Sequence, residues 1–177
     1  MTLEEVIRKL SLSGLCVGVL GVLVLATGCD AAHHPYSVVN ESMLPLLRPG
    51  DRILVDETDQ ARTDLHDGDI IALRRDDAIV LKRIMAMPGE TISGADRKVF
   101  RNGKQLDEPY LGPASNDSPP ALITFAPRTV GSGELFVMGD NRDLSFDSRA
   151  AEYGSVKLID VVGQYRWTYL PGSSAAK

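Results

Sequence analysis

One serine and one lysine set the chemistry open to this chain: Ser42, inside Asn40-Glu41-Ser42-Met43-Leu44-Pro45, and Lys82, inside Val80-Leu81-Lys82-Arg83-Ile84. A serine hydroxyl is a weak nucleophile until a base takes its proton. The three histidines, His33, His34 and His66, offer no promising base, and the His33-His34 pair reads as a surface feature. A lysine can serve instead if it is neutral near pH 7, which requires apolar surroundings that lower its pKa. If Ala78 to Met87 is a strand, alternation puts Lys82 on one face with Val80 and Ile84 and turns Arg83 the other way. An inward lysine is costly unless it has a use. The alternative is a lysine guarding an exposed edge strand against aggregation.

The elements that must hold these two residues are read mostly as β. Pro45 and Pro49 fix φ and remove backbone donors, so Ser42 is expected on a stiff, extended turn. Turns at Pro49-Gly50, Asp67-Gly68 and Pro88-Gly89 bound strands at Arg52 to Val55, Ile70 to Leu73 and Ala78 to Met87. Asn102-Gly103 between Val99-Phe100 and Leu106 is a hairpin signal. Asp107 to Pro120 reads as a surface loop, followed by a strand at Leu122 to Phe125, another at Leu135 to Met138 and a last one at Gln164 to Leu170. Beyond the N-terminal region helix is scarce. The expected fold is a mainly β domain over residues 29–170, its antiparallel sheet closed or partly closed on itself. A disordered tail is expected from Pro171 (171–177).

The N-terminal part has a different character. Leu10 to Gly28 contains no charged residue, close to the roughly 20 needed to cross a bilayer. Arg8 and Lys9 precede it and no basic residue follows until Arg48, so residues 1–9 are expected in the cytoplasm, 10–28 as a single transmembrane helix and the rest outside the cell membrane. Leu25-Ala26-Thr27-Gly28-Cys29 also reads as a processing site, with a cleaved signal or a lipidated Cys29 as rivals to a retained anchor. Asp30 to Tyr36 is expected as a polar tether. The 177 residues carry a net charge of −5, with no basic cluster, so nucleic acid is not an expected partner. Neither Cys16, Cys29 nor the histidines have metal-ligand spacing; no metal and no cofactor are expected.

Asn40-Glu41-Ser42-Met43-Leu44-Pro45 with Pro49-Gly50-Asp51, then Gly68-Asp69-Ile70-Ile71, Lys82-Arg83-Ile84 ahead of Pro88-Gly89-Glu90, Asn102-Gly103, and Gly139-Asp140-Asn141 through Ser145-Phe146-Asp147-Ser148-Arg149 form an ordered series of boxes. In that order they resemble the bacterial type I signal peptidases, over nearly the whole extracytoplasmic part. The resemblance implies a membrane-bound endopeptidase that removes signal peptides from exported pre-proteins after small residues. Ser42 would be nucleophile and Lys82 general base, Ser145 would orient the lysine, and Asp147 with Arg149 would form an ion pair beside the site. Asn40 is expected to give a side-chain N–H to the oxyanion alongside the Ser42 backbone N–H. Expected partners are signal peptides, the lipid bilayer and the secretion translocon. Two other readings are a self-cleaving repressor-like serine-lysine peptidase and an inactive, membrane-tethered β binding module. The first calls for a DNA-binding domain and an Ala-Gly cleavage site, which the chain lacks; the second is disfavoured by the presence of both Ser42 and Lys82.

Overall fold

Short apolar runs bounded by turn residues build two antiparallel sheets. The computed structural model describes residues 32–111 and 123–172. Along the chain run β1 (His33–Ser37), β2 (Arg52–Asp56), a short helix α1 (Asp59–Thr63), β3 (Ile70–Arg75), β4 (Ala78–Ala86), β5 (Thr91–Ala95), β6 (Lys98–Arg101) and β7 (Lys104–Gln105). They are followed by β8 (Phe125–Thr129), β9 (Glu134–Met138), β10 (Val156–Lys157), a 3-10 turn (Leu158–Asp160) and β11 (Val161–Leu170). The larger sheet has the order β1-β2-β11-β3-β4-β9-β10, the smaller β7-β6-β5-β8.

Both faces of the larger sheet are covered, which is why β3 and β4 carry apolar residues at odd and even positions alike. Ile70 and Ala72, with Ile79 and Leu81, pack against Met43, Leu47, Ile53 and Val55. On the other face Ile71, Leu73, Val80 and Ile84 pack against Leu135, Val137, Tyr153 and Val156. Each fully buried side chain of this kind contributes about 1.5–3 kcal/mol relative to exposure. The smaller sheet has its own core around Ile92, Val99 and Phe125, the last stacked on Phe136 of β9 with ring centres 5.4 Å apart.

The hairpin at Asn102-Gly103 forms as the sequence predicts: both residues have positive φ, 51° and 77°, which the asparagine tolerates and the glycine adopts without steric cost. Asp76 (φ 50°) opens the equally tight turn between β3 and β4, where Arg75 lies opposite Ala78. The strands at 52–55, 70–73, 78–87 and 135–138 appear within a few residues of their expected limits.

Several expectations are corrected. The sheets are open rather than closed, because β5 to β8 pair among themselves over a separate core instead of joining the edges of the larger sheet. The expected tether is largely strand β1, paired with β2 from His33 opposite Asp56 to Ser37 opposite Arg52. Of the strand expected at 122–125, residue 122 lies outside the described residues, and the strand described there covers Phe125–Thr129. Helix α1 was not foreseen; Thr58 caps it, its hydroxyl accepting the Ala61 N–H at 3.1 Å. Pro171 and Gly172, expected in a disordered tail, follow β11 in order, and the Gly172 N–H donates to Asp51 Oδ1 at 2.6 Å. The proposed anchor over 10–28, Cys16, Cys29 and residues 173–177 lie outside the described residues. Among the described residues no helix is long and apolar enough to cross a membrane.

Candidate active site

The loop from Val38 to Asp51 carries Ser42 and is tied at both ends. Val38 N–H donates to the Asp51 carbonyl at 2.9 Å and Gly50 N–H to the Val38 carbonyl at 2.8 Å. Inside it the chain is not extended, as expected from the prolines, but coiled: Leu44 N–H reaches the Glu41 carbonyl and Leu47 N–H the Met43 carbonyl. This brings Met43 and Leu47 to one side, where both are buried in the core, while Leu46 is 47% exposed. Asp51 then fastens the return, one carboxylate oxygen accepting the Arg48 N–H and the other that of Gly172. Ser42 is therefore held by packing and by backbone bonds on both sides.

Lys82 sits in the middle of the larger sheet, opposite Ile71 of β3, and is 4% exposed; Ser42 is 8% exposed. The two line one cleft of about 430 Å³ together with Val80, Leu144, Phe146 and Tyr153. No hydrogen bond or ion pair holds the Lys82 amine among the described residues. Burial pushes its pKa down; the carboxylates of Asp147 and Asp140 act against that shift, and the Arg149 guanidinium reinforces it. Arg83, the next residue, faces the other way as alternation requires. It makes paired bonds of 2.8 and 2.6 Å to Asp140, a third of 2.7 Å to the Gly68 carbonyl, and lies 3.9 Å over the Tyr110 ring.

The segment after β9 supplies the third side. Asn141 N–H donates to the Ser42 carbonyl at 3.0 Å, and Gly139 lies so close that a Cβ there would fall 2.4 Å from the same carbonyl oxygen and 2.3 Å from Ser145 Oγ. Ser145 and Ser42 thus meet across a glycine. Ser145 Oγ is buried and close enough to Asp147 to help lower that carboxyl's pKa, though it makes no hydrogen bond of good geometry; Tyr153 OH is buried with no hydrogen bond among the described residues. Asp147 is fully enclosed and accepts from Arg149 Nε at 2.8 Å, Arg149 Nη2 at 3.0 Å and Gly139 N–H at 3.0 Å. Burial would raise its pKa, but the Arg149 bond and charge, with the Gly139 N–H, outweigh this and hold it low. The Asp147–Arg149 pair expected beside the site is thus formed.

Asn40 behaves differently from expectation. Its side-chain oxygen accepts the Ser42 backbone N–H at 3.1 Å, so the amide presents an acceptor, not a donor, to the place where an oxyanion would form. The reason is local: a residue two positions ahead closes an Asx turn with its oxygen. The sequence reading gave no role to Gly139, Asn141 or Tyr153. A glycine followed by two polar residues at the end of an apolar strand was the available signal for the first two; Tyr153 had none. Beyond Asn40 lies a second, small cavity of about 30 Å³ lined by Tyr36, Val38, Met43, Ile79 and Leu81. His33 and His34 are remote in role: His33 lies 5.9 Å from the Trp167 ring and faces Asp56 at 3.8 Å. Among the described residues no cluster of His, Cys, Asp or Glu could hold a metal.

A family model described as signal peptidase, peptidase S26, matches residues 11–170. Signal peptidase I S of Bacillus subtilis (strain 168) is 32% identical over 183 aligned residues, covering 100% of this chain and 99% of the relative. Signal peptidase I of Bacillus licheniformis is 34% identical, covering 81% of this chain and 80% of the relative. A crystal structure of a signal peptidase I from Enterococcus faecalis V583 has 32% sequence identity, covers 56% of this chain and 95% of its own, and superposes with a TM-score of 0.47. On the family match and these identities, the chain belongs to the signal peptidase family of serine endopeptidases, peptidase S26.

Proposed function

We propose that this chain removes signal peptides from exported pre-proteins, with Ser42 as nucleophile and Lys82 as its base. The observation that carries the assignment is a lysine buried without a partner in the same cleft as a fixed, buried serine. Burial lowers the amine's pKa and so favours its neutral form, the form a base needs. Ser42 Oγ bonds to the scissile carbonyl carbon as its proton passes to Lys82 Nζ; the C–N bond then breaks and the proton leaves with the new amino terminus. Water next adds to the acyl-serine, giving its proton to Lys82, and the C–O bond breaks to free the signal peptide and restore Ser42. By the family resemblance Ser145 serves to orient the amine; its hydroxyl meets Gly139 beside Ser42, and the Asp147–Arg149 pair braces the loop. The Ser42 N–H is the oxyanion donor.

Specificity for small residues follows from the cavity behind Asn40. This small apolar hollow between Met43, Ile79 and Leu81 suits a small side chain better than a bulky one. Residues 10–28 anchor the domain in the cell membrane with the N-terminus cytoplasmic, so the catalytic domain is extracytoplasmic; with β1 starting at His33, few residues separate bilayer and sheet. This puts the cleft where a signal peptide leaves the translocon. Cys29 lipidation in place of the anchor would leave the cleft at the same face.

The test is cleavage of a pre-protein peptide bearing Ala-X-Ala by the full-length chain in detergent. Ser42→Ala and Lys82→Met are each expected to abolish it with the fold retained, and the double variant to be no worse than either alone, because both serve one proton transfer. Substantial turnover by a folded Lys82→Met protein would remove the dyad.

A further inference from the structure

The oxyanion donor is already engaged in the free protein. Ser42 N–H points at Asn40 Oδ1, 3.1 Å away, and everything else about the Ser42 backbone is fixed: its carbonyl is held by Asn141 N–H and pressed against Gly139. The Asn40 side chain is the movable party. Asn40 is exposed, and among the described residues it is the one that lines both the small cavity with Met43, Ile79 and Leu81 and the larger cleft with Ser42 and Lys82. A peptide with its small side chain in the first and its scissile bond over the second must pass Asn40.

We propose that Asn40 is a shutter on the oxyanion hole, its side-chain oxygen occupying the Ser42 N–H in the free enzyme and rotating away when a peptide spans the two cavities. The inference rests on Ser42 being the nucleophile. One N–H cannot serve two acceptors at full strength, so the transition state must displace Asn40 Oδ1 before it gains the donor, and that displacement is part of the barrier. The shutter is a positioning device: it sets when the donor is free and does not touch the reacting atoms once open. In the free enzyme it leaves Ser42 without oxyanion stabilisation, which disfavours attack on chain segments that do not fill both cavities.

Three readings of Asn40 differ in their kinetics. Removing a shutter by Asn40→Ala frees the N–H, so the single-turnover acylation rate should rise about fivefold, the factor for one ordinary net hydrogen bond. KM should hold steady. Asn40→Asp keeps an acceptor of nearly the same shape and adds a charge, so it should lower the same rate about tenfold or more. A drop for Asn40→Ala comparable to that of Asn40→Asp would make Asn40 an oxyanion donor and overturn the shutter, and an unchanged rate in both would make it a turn residue only. Thermal denaturation of each variant separates these from loss of fold; Asn40→Gly serves as a second shutterless variant, expected to follow Asn40→Ala. Ser42→Ala run alongside separates the two levels: activity surviving in it would end the serine assignment, whereas its loss together with a fall in Asn40→Ala would end the shutter alone.

Discussion

Gly139→Ala tests whether Ser42 is positioned by close contact. The added Cβ would lie 2.4 Å from the Ser42 carbonyl oxygen, 2.3 Å from Ser145 Oγ and 2.5 Å from Ser145 Cβ. Relaxed van der Waals contact begins near 3.5 Å. A hydroxyl can turn aside, but the Ser42 carbonyl is backbone and accepts the Asn141 N–H at 3.0 Å, which ties it to the same segment that carries Gly139. Relief therefore needs a shift of about 1 Å in the peptide that carries the nucleophile, and a misplacement of that size costs about 100-fold in rate. Overpacking of this kind costs about 1–3 kcal/mol of stability. In a domain of this size each kcal/mol lowers Tm by about 2–4 °C, so the variant should stay folded at 25 °C. Gly139 does not use a left-handed backbone conformation, so alanine brings no further strain. The assay is kcat/KM on the Ala-X-Ala pre-protein peptide beside a melting curve. Adding Ser145→Ala to Gly139→Ala should restore little, because the Ser42 clash remains. Wild-type kcat/KM in Gly139→Ala with an unchanged Tm would refute the argument, and full rescue by Ser145→Ala would transfer it from Ser42 to Ser145.

Two further outcomes are expected. Because burial lowers the Lys82 pKa, kcat/KM should rise with pH through an apparent pKa below that of an ordinary lysine, and His66→Ala should leave that limb in place; a profile that follows free imidazole and vanishes in His66→Ala would name the wrong base. Arg149→Met removes a charge that lowers the Lys82 pKa and unmasks Asp147, which raises it, so the limb should move to higher pH with activity partly recovered there; an unmoved limb in a folded variant would mean the pair acts only on structure.

Where the sequence spoke clearly, the cause was local. Ile70 to Leu73 and Val80 to Ile84 read as strands because their apolar residues serve two buried faces, and Asn102-Gly103 read as a hairpin because positive φ at both positions is costly for most other pairs. Strand β1 was illegible because it is an edge strand with a proline and two histidines, half-buried at His33 and Tyr36 only. Helix α1 is five residues long, too short to show a period, and its one mark is the Thr58 cap. The insertion of β11 between β2 and β3, and the separation into two open sheets, depend on pairings far apart in sequence, with register shifts along β11 that no local pattern encodes. In the site, Ser42 and Lys82 stood out because a nucleophile on a fixed turn and a lysine on an apolar strand face are costly residues in need of a reason. The Asn40 oxygen could not be read, since an amide offers a donor and an acceptor and only the neighbouring N–H selects between them.

The strand that carries the lysine also shows how one charge is kept available while its neighbours are satisfied. Arg83 cannot lose its proton, so a buried Arg83 has to be paired, and Asp140, the Gly68 carbonyl and the Tyr110 ring do so on the far face of β4. Breaking such a buried pair costs about 3–5 kcal/mol, which locks β4 to the segment after β9 that faces Ser42. Lys82 can lose its proton, so it can be buried without a pair. The carboxylate most able to hold that proton, Asp147, is itself saturated by Arg149 and the Gly139 N–H. Were Asp147 unpaired, its charge would stabilise the ammonium form more strongly and oppose the effect of burial. Arg83 fixes the strand, Arg149 occupies the acid, and burial is left as the dominant influence on the Lys82 amine, drawing its pKa down.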